Sequence, residues 1–192
     1  MKPEYINMIS VRPEGKRILL HSLSGFKMAQ TWSAIYALEQ LLTANKDITR
    51  ILDLGTGEGG LTIFWGLQMA ARNGSVLSFD IKKWMHPSWF ELAKKLPIKF
   101  MQRDVFDQST IQLAADFIKK GRTLVFCDAS NKPKSLNIYS RLLKKNDLIM
   151  AHDWGVEIKP EHLDAETLSI LKYNRHEEFT QLKTRILSMR RV

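Results

Sequence analysis

The feature that most constrains this 192-residue chain is a cluster of glycines, Gly55, Gly57, Gly59 and Gly60, set between an apolar run and a helical pattern. Residues 50–54 read as a buried strand and 61–71 as the helix that follows it. Glycines at a strand-to-helix turn permit tight backbone and let main-chain N–H groups approach a ligand closely. A purely structural turn would need only two of them, so the loop alone is a weak signal. Asp53, two residues before the first glycine, strengthens it. A pyrophosphate cradle disfavours a carboxylate there, whereas a cationic amine favours one.

The rest of the chain alternates strand and helix, the pattern of a parallel α/β sheet. Further strands are expected at 75–79, 98–102, 123–127 and 147–151. Helices are expected at 28–44, 90–95, 110–120, 136–144 and 160–171. Two strands, 178–182 and 185–189, would close the chain around a turn at Lys183-Thr184. The expected fold is therefore a Rossmann-like, doubly wound α/β sheet of seven strands, mostly parallel, with a C-terminal antiparallel hairpin. It would form a single domain over 1–192, with an N-terminal helical segment (1–48) ahead of the core (49–192). Such sheets bind ligands outside the carboxyl ends of their strands. Four acids, Asp80, Asp104, Asp128 and Asp153, fall at those ends and so share one rim. Asp80 ends the second strand, the position from which an acid accepts ribose hydroxyls.

Composition narrows the class. With 44% hydrophobic and 26% charged residues the chain is an ordinary globular sequence, and no apolar run is long enough to span a bilayer. The lone Cys127 excludes a disulfide framework and a multi-cysteine metal site. No apolar leader pattern opens the sequence, so a cytoplasmic location is expected, with no membrane partner. The net charge of +9 would favour anionic partners, nucleic acid included. The basic residues are scattered as short pairs, however, which suits solvated helix ends and loop rims.

The segment ILDLGTGEGG, with acids at the ends of the next two strands, resembles motif I of the class I S-adenosylmethionine-dependent methyltransferases. The resemblance runs from about Gly25 to the C-terminus. It implies that Asp53 and the loop Gly55, Thr56, Gly57 and Gly59 hold the methionine part of the cofactor. Asp80 and the adjoining Ile81 would meet the ribose, Asp104 the adenine amino group and Val105 the ring. Cys127 lies within an apolar strand and reads as a small buried hydrophobe.

Asp128 and the pair His152-Asp153 end adjacent strands, and carboxylate and imidazole donors suit a divalent metal. The arrangement is similar to that of catechol-type metal-dependent O-methyltransferases, and to the cephalosporin hydroxylase and sugar or macrolide O-methyltransferase group. That likeness implies a metal, magnesium or manganese, on Asp128, His152 and Asp153. It also implies an acceptor hydroxyl on a small molecule such as a sugar or natural product. His152 stands where the group has an acid, and Lys132 lies one residue from the expected catalytic lysine. Asp128, Lys132 and His152 are thus the catalytic candidates, with the general base open between Lys132 and His152. Met28 and Gln30 resemble the segment that this group folds over the cofactor, and Gln30 with Asp128 joins the expected cofactor contacts.

Two other readings remain. An RNA ribose or base methyltransferase would use the basic surface, and Lys27 with Asp128 matches half of a Lys-Asp-Lys-Glu tetrad. A NAD-type oxidoreductase or a catalytically silent nucleoside-binding subunit is the other. Asp53 before the glycines and the lack of a hydride-transfer set oppose the oxidoreductase. Trp154 and the stretch 155–159 are expected to contact the acceptor.

Overall fold

The structure is a computed structural model that describes residues 9–14 and 17–192, with side chains described from Ser22 onward. Three strands, β1 (Ile9–Glu14), β2 (Arg17–Leu23) and β3 (Phe26–Thr31), form a small antiparallel sheet. Helix α1 (Trp32–Ala44) follows directly, because Thr31 caps it by accepting from the Ala34 amide at 3.1 Å.

The larger sheet contains β4 (Ile48–Leu54), β5 (Ser75–Asp80), β6 (Ile98–Gln102), β7 (Arg122–Cys127), β8 (Leu148–Ala151), β9 (Leu171–Tyr173) and β10 (Leu187–Arg191). Its order is β6-β5-β4-β7-β8-β10-β9. Strands β4 to β8 pair in parallel, and β10 runs antiparallel to both β8 and β9. The direction of building reverses between β4 and β7, which opens a crevice above the carboxyl ends of those two strands.

Strand alternation assigns each side chain to a layer. Ile51, Leu124, Phe126, Leu148 and Met150 pack on one face, with α1, α2 (Gly60–Ala70) and α7 (His176–Gln181). Leu52, Leu54, Val125, Cys127, Ile149 and Ala151 pack on the other, with α4 (Gln108–Lys119), α5 (Lys132–Ser140) and α6 (Ala165–Ile170). A third cluster fixes α3 (Pro87–Ala93) through the buried Trp89, Met85 and Ile63. Among the described residues, no helix is long and apolar enough to cross a membrane.

The seven strands and the antiparallel ending agree with the sequence, but four placements differ. Residues 160–171, expected as a single helix, divide into a 3-10 turn at Pro160–His162, α6 and the first residue of β9. Residues 26–31, expected as helix from Met28, are a strand, so the described part of the expected N-terminal helical segment is strand before it is helix. Its alternating burial of Met28 and Gln30 marks a strand covered on one side. Residues 178–182, expected as a strand, belong largely to α7, and the antiparallel partner of the last strand is β9. Helix α5 begins at Lys132, four residues earlier than expected, because Asn131 caps it and Pro133 fits its first turn.

Candidate functional site

The glycine loop departs β4 with Gly55 at φ 105°, Gly57 at 55° and Gly59 at 87°. A Cβ on Gly55 would lie 2.6 Å from the Asp128 carbonyl carbon and oxygen, so this glycine lets the ends of β4 and β7 touch. The Asp128 amide completes that junction by donating to Leu54 O at 2.8 Å. Beneath the loop, Asp53 accepts from Thr62 Oγ1 at 2.6 Å and Ser78 Oγ at 2.8 Å, and Thr56 Oγ1 pairs with Ser78 Oγ at 2.6 Å. Burial pushes the Asp53 carboxyl up to about 7, its two hydrogen bonds lower it, and the charges of Asp128 and Asp80 raise it again. Its Oδ1 is buried without a partner among the described residues.

A cavity of about 490 Å³ lies over this loop. Of the residues expected to hold a cofactor, Gln30, Gly55, Thr56, Gly57, Asp80, Ile81, Asp104, Val105 and Asp128 line it, as does Met28. Asp80 accepts from the Gly57 amide at 2.9 Å and the Lys82 amide at 3.1 Å, which fixes the carboxylate at the rim. Two of the expected residues, Asp53 and Gly59, do not line the cavity. Asp53 is 1% exposed and lies below the cavity, where its carboxylate braces the loop. Gly59 faces away from the cavity and packs against Trp89, whose Nε1 donates to Gly59 O at 3.0 Å. Lys27, Glu58 and the exposed Trp84, none of them among the expected cofactor contacts, also line the cavity. Glu58 lies within the glycine motif, whereas Lys27 and Trp84 are brought to the cavity by the folded position of β3 and of the loop after β5.

Asp128 also belongs to a second group of residues. Its Oδ2 accepts from Gln30 Nε2 at 3.4 Å, while Oδ1 lies 3.6 Å from His152 Nδ1 and 3.5 Å from Lys132 Nζ. Asp153 Oδ2 stands 3.4 Å from the same imidazole nitrogen and 3.2 Å from the same ammonium. Glu157, absent from the sequence expectation as an individual residue, accepts from Lys132 Nζ at 2.6 Å. Burial pulls the Lys132 ammonium down, but the Glu157 hydrogen bond and the charges of Asp128 and Asp153 outweigh it, so it titrates above its ordinary value. For His152, burial again lowers and the hydrogen bond and charge of Asp128, with Asp153, win; the imidazole titrates above its ordinary value.

Donor atoms of Asp128, His152 and Asp153 lie within 4.8 Å of one another, close enough to meet on one ion. Two carboxylates and one imidazole fit a divalent cation with open positions. The Lys132 ammonium is also ion-paired with Asp128 and Asp153, though it lies nearer Glu157.

Beyond β8 the rim is aromatic. Trp154 meets His176 edge-on at 5.6 Å and Tyr173 at 6.5 Å, and Tyr173 stacks on His176 at 4.8 Å with an 18° interplanar angle. Tyr173, 55% exposed, ends β9 on the same rim as the acids. Of this trio the sequence indicated only Trp154, since Tyr173 and His176 reach it through a strand and a helix that the periodicity did not resolve.

A glycine loop between strand and helix, an acid closing the next strand and a sheet with one antiparallel strand define a class I S-adenosylmethionine-dependent methyltransferase. The chain belongs to the FtsJ-like methyltransferase family, whose sequence model matches residues 21–190. No curated protein sequence matches it. Among solved structures, an apo structure of CmcI superposes with a TM-score of 0.69 at 17% identity, covering 90% of this chain and 76% of that one. A CmcI structure described with Mg and SAM gives 0.64 at 18% identity, over 89% of this chain and 76% of that one. The MycE methyltransferase from the mycinamycin biosynthetic pathway, in complex with Mg and SAH, gives 0.52 at 12% identity, over 83% of this chain and 47% of that one.

Proposed function

We propose that this methyltransferase transfers a methyl group to a hydroxyl oxygen of a small molecule such as a sugar or natural product. The observation that carries the reading is the double role of Asp128, which lines the cofactor cavity and joins His152, Lys132 and Asp153 in the adjoining cluster. A hydroxyl held there would sit beside the methyl donor, so that proximity and alignment lower the barrier.

The bound cofactor supplies a methyl group on a sulfonium. Transfer of that methyl to an acceptor hydroxyl, with the thioether as leaving group, would require the hydroxyl proton to be removed. Lys132, held protonated by three carboxylates, is suited to stabilising negative charge on the oxygen. His152 is suited to taking the proton. A divalent ion, magnesium or manganese, would be held by Asp128, His152 and Asp153; when bound, it would orient and acidify the hydroxyl. In that case His152 is a ligand and the proton leaves to solvent. The two magnesium-containing neighbours support the metal-assisted route.

The test begins with calorimetric titration of S-adenosylhomocysteine, with NAD in parallel. It continues with transfer of labelled methyl to a panel of hydroxylated small molecules, with and without chelator. Micromolar binding of the homocysteine nucleoside and label on a small-molecule oxygen support the reading. Abolition by chelator assigns the metal route, and insensitivity assigns His152 as the base.

An RNA acceptor is the second reading. It is favoured by the +9 charge and by two cation–aromatic pairs on the carboxyl rim, Lys82 over Trp84 at 5.0 Å and Lys134 over Phe106 at 4.3 Å. Label on ribosomal RNA and on none of the small molecules would favour it.

A further inference from the structure

We infer that Lys27 and Glu58 form a charge clamp that opens to take the amino-acid end of the cofactor, Lys27 meeting its carboxylate and Glu58 its ammonium. The inference rests on the assignment of the cavity to S-adenosylmethionine. Lys27 on β3 and Glu58 in the glycine loop both line that cavity, and their side chains pair at 3.0 Å. The two elements are locked together just beside this pair. A Cβ on Gly60 would fall 2.6 Å from Lys27 O and 2.7 Å from Phe26 O, so β3 lies directly on the start of α2.

Charge balance identifies the role of Lys27. Among the described residues lining the cavity, the carboxylates are Glu58, Asp80, Asp104 and Asp128, and the one cation is Lys27. That acidic lining suits the sulfonium and ammonium of the ligand, but it repels the ligand's carboxylate. A carboxylate placed at the glycine loop needs a counter-charge there, and Lys27 is the side chain able to supply it. Glu58, released from Lys27, then faces the ammonium. One ion pair is exchanged for two, each with an ionised hydrogen-bond partner. Opening the original pair is cheap, because its side chains are 53% and 44% exposed and such pairs are weak in water.

The test compares two ligands that differ only at this end. S-adenosylhomocysteine carries the amino-acid group, and 5′-methylthioadenosine lacks it. Calorimetry on the whole chain would measure both against wild type, Lys27→Met, Lys27→Arg and Glu58→Gln. The expected result is a loss of tenfold or more in S-adenosylhomocysteine affinity for Lys27→Met and a smaller loss for Glu58→Gln. Lys27→Arg should restore much of it, and methylthioadenosine should bind all four proteins alike, which also verifies that the variants fold. Equal losses for both ligands, or none for either, would overturn the clamp. A wild-type protein that binds neither ligand would instead overturn the cofactor assignment, and the clamp with it.

Discussion

Glu157 Oε2 accepts from Lys132 Nζ at 2.6 Å, closer than Asp153 at 3.2 Å or Asp128 at 3.5 Å. Glu157 therefore competes with the two aspartates for the ammonium. Removing its charge should let Lys132 settle between Asp128 and Asp153 and mask the donors that a metal would use. Glu157→Gln is expected to weaken manganese binding several-fold, and Lys132→Met to strengthen it. Titration of each variant with manganese, followed by its electron spin resonance signal, reads both effects. Opposite signs for the two variants are required; the same sign would separate Lys132 from the metal donors.

Two glycines of the loop should fail in different ways when replaced by alanine. At Gly55 a Cβ strikes the Asp128 backbone in a residue already at φ 105°, so Gly55→Ala must push β4 and β7 apart. A loss of roughly 2–4 kcal/mol is expected, measured by urea unfolding. At Gly57 a Cβ meets nothing within 4 Å, and the cost is mainly that of positive φ, about 1 kcal/mol. The same Cβ would occupy cavity space, so Gly57→Ala should weaken S-adenosylhomocysteine by tenfold or more while unfolding nearly as wild type.

These contrasts show what the sequence could and could not convey. Asp80, Asp104 and the glycines were legible because their positions follow from strand ends and turn chemistry, both local properties. Asp128 and His152 were legible for the same reason, as residues closing apolar strands. Asp53 illustrates the limit. Its spacing to the glycines announced a special role, but only packing shows that Thr62 and Ser78 hold its carboxylate below the cavity. Strands β3 and β9 escaped because β3 runs straight into α1 and the three-residue β9 straight out of α6, where the period-2 and period-3.6 patterns overlap. Tyr173, and the place of Lys27 at the cavity, were lost with them.

Tyr173 offers the acceptor one open ring face, the other being stacked on His176. Burial lowers the His176 pKa below its ordinary value, which favours the neutral ring in that stack at neutral pH. An aromatic contact of this kind is worth about 0.5–1.5 kcal/mol, or roughly a two- to tenfold effect. Tyr173→Ala should therefore raise KM for the acceptor by that factor, with kcat and S-adenosylhomocysteine affinity little changed. Steady-state kinetics on whichever acceptor the labelling screen returns would check this. A fall in kcat with constant KM would place the ring in transition-state positioning instead.

Asp53 makes stability depend on pH in the direction opposite to most carboxylates. Its ordinary value is 3.8, and burial, opposed by the Thr62 and Ser78 hydrogen bonds, lifts it in the folded chain to about 7. Between those values the folded protein holds a proton that the unfolded chain releases. This residue's contribution thus falls as pH rises from about 4 to about 7 and is flat beyond. A shift of roughly three units corresponds to about 4 kcal/mol as an upper bound. Asp53→Asn stays neutral throughout and keeps an oxygen to accept from Thr62 or Ser78. The variant should gain stability relative to wild type as pH increases, with the whole gain reached near pH 7.5. Urea unfolding of both proteins at pH 4.5, 6 and 7.5 gives the difference directly. A difference that stays constant across the three would mean that Asp53 is ionised in the fold, with its buried Oδ1 satisfied by a group such as bound water.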